Sequence, residues 1–235
     1  MTATEVLDQL KKLGKESYRN TFLKHGAPDS LLGVSVADMK IIQKKVKKDH
    51  ALALELYDSG ISDAMYLAAL ICEPAKMTRA QLQKWVKGAT WYMLSNYTVA
   101  WAASESRFGA ELAREWIESK KEITACAGWS TWSSLVSIKP DSELDLAELQ
   151  KLLDRVAREI HGAQNRVRGS MNQFVIAVGS FVTPLNSKAK AAARAIGKVD
   201  VDMGDTSCEA PLAFEYIEKV EKMGRAGKKR KSAMC

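Results

Sequence analysis

The chain has 235 residues, enough to bury a full hydrophobic core, and its 46% hydrophobic and 27% charged residues describe a folded body rather than a disordered or fibrous one. The first seven residues include an acid and lack an apolar core, and no apolar run approaches the roughly 20 residues of a membrane helix, so neither a secretory signal nor a membrane span is expected, and the location is expected to be cytoplasmic. The net charge is +7, yet Arg225, Lys228, Lys229, Arg230 and Lys231 sit together without an acid and leave 30 basic against 28 acidic side chains elsewhere. Residues 224–235 therefore read as a basic, disordered tail on a single nearly neutral domain, residues 1–223.

Helix start and stop signals recur roughly every 15–20 residues. Ser35 followed by Asp38 opens a helix running to about Lys48, the hydroxyl capping free backbone N–H groups and the acid complementing the helix dipole. Asp49 caps the next, which ends at Ser59-Gly60. Another starts at Ser62 and stops at Glu73-Pro74, because proline disfavours helical geometry in the residue before it. Thr78 and Gln81 have the form of a capping box, and their helix closes near Gly88. Thr90 caps a helix over 91–104. Further helices are read over 108–118, 122–138 ending before Pro140, 146–160 behind Asp145, and 164–182 ending at Thr183-Pro184. Residues 188–196 and 212–223 complete the set. Residues 198–203 alternate valine and aspartate like a strand, but one strand has nothing to pair with, so they read as an extended connector.

Leu146, Leu149, Leu152, Leu153, Val156 and Ile160 fall three and four apart and give their helix one apolar stripe that must pack. Short helices of similar length joined by short connections predict an all-α protein: a curved superhelical stack of antiparallel helix pairs, an α-solenoid of the HEAT/armadillo kind. A globular all-α bundle is the alternative.

Three isolated histidines and the scattered Cys72, Cys126, Cys208 and Cys235 offer no metal-ligand spacing and no CxxC pair. Four free thiols, no metal and no cofactor are expected; phosphate-loop, dinucleotide-loop and serine-hydrolase motifs are missing as well. Six tryptophans are many for this length, and most should pack between helices. Trp129 and Trp132 share one helix face, while Trp91 and Tyr92 are neighbours that cannot both point into a core. Trp91, Trp129 and Trp132 are the candidates for an aromatic groove. Asn165, Arg168 and Asn172 form a polar stripe beside Arg166, suited either to phosphate contacts or to a solvated face. Lys40 and Lys44, with Lys47 and Lys48, recur on one side of their helix and admit the same two readings.

Three segments read together carry a resemblance. Phe22-Leu23-Lys24-His25 is followed by Leu32-Gly33-Val34-Ser35-Val36-Ala37-Asp38-Met39-Lys40; Leu56-Tyr57-Asp58-Ser59-Gly60 precedes Asp63-Ala64-Met65-Tyr66-Leu67-Ala68-Ala69; Trp85-Val86 precedes Trp91-Tyr92. Over roughly residues 20–105 they resemble the DNA alkylation repair protein family, the HEAT-like helical-repeat alkylpurine DNA glycosylases. The resemblance implies a curved groove for duplex DNA and, on the helix matching 91–104, a tryptophan followed four residues later by an aspartate. Such a pair stabilises the positive charge that develops on the deoxyribose as the bond to a cationic base breaks. Here the aspartate position is Ser95 if Trp91 takes the tryptophan's place, and Asn96 if Tyr92 does. The family's repeat arginine falls near Cys126 and its later tryptophan near Met171 or Asn172.

The resemblance thus implies a protein, expected to be a monomer, that binds duplex DNA in a concave groove and recognises or excises alkylated bases. Tyr92 and Asn96 are the catalytic candidates, and Asn165, Arg166, Arg168, Asn172, Lys40 and Lys44 the DNA contacts. A non-catalytic repeat scaffold for a protein or peptide is the alternative function.

Overall fold

The structure is a computed structural model that describes residues 1–234. A capping box between Thr2 and Glu5 starts α1 (Ala3–Leu13), followed by α2 (Glu16–Lys24). The Ser35 hydroxyl accepts from the Asp38 N–H to open α3 (Val36–Val46), and the Asp49 carboxylate accepts from the Leu52 N–H to open α4 (His50–Asp58). All ten residues of α5 (Ser62–Ile71) are buried. The predicted capping box of Thr78 and Gln81 forms at the head of α6 (Arg79–Gly88). The next helix starts at Tyr92, widens into a π-helical turn over Leu94–Val99 and continues as α7 (Ala100–Ser104). Then come α8 (Gly109–Ile117), α9 (Glu122–Ile138), α10 (Leu146–Glu159, capped by Asp145), α11 (Asn165–Phe181), α12 (Asn186–Ile196) and α13 (Ala213–Lys222). Residues 197–212 between the last two helices are extended or irregular, and no strand occurs among the described residues.

Short connections fold each helix back on its predecessor, α4 against α5, α6 against the π turn, α8 against α9 and α10 against α11, and the longer segment 197–212 returns α13 against α12. The second members, α5, the π turn with α7, α9, α11 and α13, then pack side by side as an inner layer. The result is the curved stack of antiparallel pairs rather than the compact bundle. On α10 the leucine stripe seals as its spacing requires, with Leu149, Leu152, Leu153 and Val156 buried, each contributing roughly 1.5–3 kcal/mol. Two apolar cores, one built mainly from α1–α8 and one from α8–α13, meet along α8 and α9. There α9 comes so close to the end of α8 that a Cβ on Gly128 would lie 2.6 Å from the Ile117 backbone nitrogen.

Asp63, buried on α5, ties the turn before α3 to the inner layer, accepting N–H bonds from Leu32 at 2.6 Å and Val34 at 2.7 Å. Burial raises its pKa above the ordinary carboxylate value, and those two hydrogen bonds oppose the rise.

The connector after α12 reaches back to the first pair. The Asp205 N–H donates to the Lys24 carbonyl at 3.0 Å, and the two side chains form an ion pair at 3.8 Å. Gly204, at φ +86°, makes this approach possible, since a Cβ would fall 2.0 Å from the Lys24 oxygen.

The basic tail, expected to be disordered, is instead laid across the C-terminal ends of the inner helices. Its Gly227 N–H donates to the Ser180 carbonyl at 2.9 Å, its Arg230 N–H to the Ser137 carbonyl at 2.8 Å, and its Ala233 N–H to the Glu105 carboxylate at 2.7 Å. Helix C-termini carry partial negative charge, which attracts a segment of this composition, and Ala233 becomes fully buried. Cys235 lies outside the described residues. Among those described, no helix is long and apolar enough to cross a membrane.

Candidate functional site

A cleft of about 350 Å³ opens on the inner layer. One wall comes from the π turn and α7 with Asn96, Tyr97 and Trp101; the serines Ser130, Ser133, Ser134 and Ser137 of α9 and Ser170 and Gln173 of α11 contribute the rest. Val201 and Met203 of the connector and Arg230 of the tail also border it.

The geometry decides which register of the aromatic helix faces the cleft. Trp91 turns into the core, its indole N–H donating to the Ser62 hydroxyl at 2.9 Å and its ring meeting Phe22 edge-on, and Ser95 is fully buried. Tyr92 and Asn96 are left to line the cleft. A π turn closes i→i+5 and so shifts the residues after it relative to those before, a distortion frequent at functional sites. The Asn96 amide donates to the Ser170 hydroxyl across the cleft at 3.2 Å, and its carbonyl oxygen accepts from the Ser95 hydroxyl at 2.9 Å.

Arg166, near the start of α11, sets its guanidinium 4.5 Å from the centre of the Tyr92 ring, a cation–π contact worth about 0.5–2 kcal/mol. The same group donates to the His25 carbonyl at 3.1 Å and touches the Met203 sulfur at 3.2 Å, while the Arg166 backbone N–H donates to Glu122 at 2.7 Å. Burial holds the Tyr92 phenol above its ordinary pKa against the opposing pull of the Arg166 charge. The phenol stays neutral and orients the arginine.

Of the other expected residues, Asn172 joins this cleft, buried, with its amide donating to the Pro211 carbonyl at 2.8 Å. Asn165 and Arg168 do not. Asn165 fastens the connector by exchanging hydrogen bonds with both backbone groups of Asp202, at 2.8 and 2.7 Å, and Arg168 lines a separate depression beside Lys198 and Glu209. Lys40 and Lys44 lie on α3 and take no part in the cleft wall.

The expected aromatic groove of Trp91, Trp129 and Trp132 is not formed: the three are 5%, 1% and 4% exposed. Trp129 packs against Phe174 and lies beneath Arg155, and Trp132 lies beneath Arg114, because an indole gains most by sealing a helix contact. Cys126, near the family's arginine position, is buried, and its thiol is pushed up to about 12 by that burial. The cleft residues that sequence reasoning missed are the α9 serines, Gln173, Tyr97 and Arg230. For the serines alone the sequence holds a signal, their recurrence every three or four residues on α9.

Chemically, the wall offers two guanidinium groups, hydroxyls and amides, and no acidic side chain among the described residues. No cluster of three or more His, Cys, Asp or Glu among those residues is placed to hold a metal ion.

Comparison with known proteins gives three findings. The family described as DNA alkylation repair enzyme matches residues 5–189. The chain is 36% identical to the uncharacterized protein Lin0241 of Listeria innocua serovar 6a and 35% identical to the uncharacterized protein Lmo0209 of Listeria monocytogenes serovar 1/2a, in each case over 93% of this chain and 97% of the relative. A solved structure, from a new family of proteins related to the HEAT-like repeat DNA glycosylases with affinity for branched DNA structures, superposes with a TM-score of 0.92 at 35% identity over 100% of both chains.

Proposed function

Since the chain belongs to the DNA alkylation repair enzyme family, we propose that it binds DNA at the inner-layer cleft without excising alkylated bases. The observation that carries this reading is the composition of the cleft wall, which holds Arg166, Arg230, hydroxyls and amides, and no carboxylate among the described residues. Guanidinium, amide and hydroxyl groups are the usual partners of phosphate oxygens. Excision needs a further group, because the positive charge growing on the sugar calls for a fixed negative one, and Asn96 is neutral. In this reading Arg166 is the phosphate contact, Tyr92 holds it in place, and Asn96 and Gln173 act beside it. The affinity for branched DNA described for the structural neighbour supports a branched duplex as the ligand.

Fluorescence anisotropy with labelled duplex and junction DNA tests this, together with a base-release assay on methylated duplex. Binding should weaken steeply with salt, and Arg166→Gln should weaken it on every DNA alike while lowering the slope of log affinity against log salt by about 1. Release of methylated base by the wild type, or unaltered binding by a folded Arg166→Gln protein, refutes the reading. Failure to bind any DNA leaves the stack as a scaffold for a protein or peptide.

A further inference from the structure

The C-terminal segment is a built strap rather than a loose end. It passes the ends of α11, α9, α7 and α5 in turn: after Gly227 and Arg230, Ser232 and Ala233 both bond Glu105, and the Met234 sulfur lies 3.7 Å from the Lys48 ammonium. That ammonium also donates to the Leu70 and Cys72 carbonyls at 3.1 and 2.9 Å, so it caps α5 just as the strap covers the helices beyond.

The five cations of the strap divide into two sets. Lys229 is an anchor, only 19% exposed, donating to the Val136 carbonyl at 2.8 Å and paired with Asp141 at 2.8 Å; Arg230 reaches the Met234 carbonyl at 3.4 Å. Arg225, Lys228 and Lys231 are exposed, three residues apart, and their side chains have no partner among the described residues. The backbone that carries them is nevertheless held in place, because Gly227 and Arg230 between them are hydrogen-bonded to the helix ends. Beyond the far end of the strap stands Lys47, next to Lys48. It is exposed and has φ 63°, the only positive φ among the described residues that are not glycine. Side chains disfavour that conformation and glycine accepts it, so a lysine is present where the backbone alone would favour glycine.

We propose that this edge is a second nucleic-acid track, in which Arg225, Lys228, Lys231 and Lys47 form a row of cations on an anchored backbone that takes the phosphates of a second DNA arm. The inference rests on the cleft being a DNA site. Arg230 belongs to both places, lining the cleft and lying within the strap, so the two tracks meet at one corner. A linear duplex occupies one track. A junction whose arms diverge from that corner engages both, and the second contact, being intramolecular, multiplies the affinity.

The test compares the full-length wild type with the triple variant Arg225→Gln, Lys228→Gln, Lys231→Gln and with Lys47→Gly, using anisotropy on a linear duplex and on a three-way junction of the same length. Melting curves verify folding. The wild type should prefer the junction. The triple variant should lose about tenfold on the junction and less than twofold on the duplex, with a junction salt slope lower by roughly 0.9 for each cation removed that had met a phosphate. Lys47→Gly should melt no lower than the wild type and lose part of the same preference. Equal losses on both DNAs, a preference retained by the folded triple variant, or a wild type without preference overturns the second track and leaves the cleft reading standing. A wild type that binds neither DNA overturns both.

Discussion

Outer and inner helices of the stack handle charge in opposite ways. In the outer layer Arg79 of α6 pairs with Glu111 and Glu115 of α8, Arg114 of α8 with Glu148 of α10, and Arg155 of α10 with Glu118 and Glu159. From α6 to α10 each outer helix is thus linked to the next by arginine to glutamate, and the charges cancel along the ladder. The inner helices α5, α9 and α11 instead fill their buried positions mostly with alanine, glycine, serine and apolar side chains, with the neutral Thr131 and Asn172, and Asp63 is the one acid buried there among the described residues. On the strap, Arg225, Lys228 and Lys231 are exposed without an acidic partner among the described residues.

If stability resides in the inner layer, perturbing it must cost most. Gly128→Val should be the most damaging change, because the new side chain meets the Ile117 backbone; about 3 kcal/mol, the upper end of ordinary overpacking, should be lost in denaturant melts. Asp63→Asn should cost less, about 1–2 kcal/mol, since one of the two N–H donors of Leu32 and Val34 loses its acceptor.

Asp63→Asn also sharpens the comparison through pH. A carboxyl whose folded pKa is raised favours the folded state when protonated, so its contribution declines as pH rises from the ordinary carboxylate range through the raised value. That decline should be absent from the variant's stability profile. The smallest effect belongs to the outer ladder, where a double-mutant cycle on Arg114 and Glu148, both changed to alanine, should give a coupling of about 0.2–1 kcal/mol that fades with salt. A coupling as large as the Gly128→Val loss would break the distinction between the layers.

Most of the helical grammar was legible in the sequence. Asp49, Thr78, Asp145 and Ser35 cap the helices they were expected to cap, and 122–138 is helical from end to end. The same signal, Thr2 with Glu5, also marks α1, which the reading passed over. The site was less legible, and for reasons of packing. Sequence spacing places Trp129 and Trp132 on one face without saying whether that face meets solvent or another helix. Tyr92 and Asn96 share the cleft wall, but the π turn between them, packed against α5 and α9, leaves no signature in the residue spacing. The course of the tail is not legible, because its partners, the Ser180 and Ser137 carbonyls and the Glu105 carboxylate, lie up to 128 residues away, and a run of lysines and arginines carries no trace of them.

Two contacts to the end of α2 bear on how the whole stack behaves. A row of helix pairs couples each layer only to the next, so such proteins ordinarily fray from a terminus and unzip inward. With Asp205 and Gly204 seated on Lys24, and Arg166 on His25, the first pair and the last hook together like a clasped bracelet. Neither extremity is then free to peel away alone, and opening one requires releasing the other.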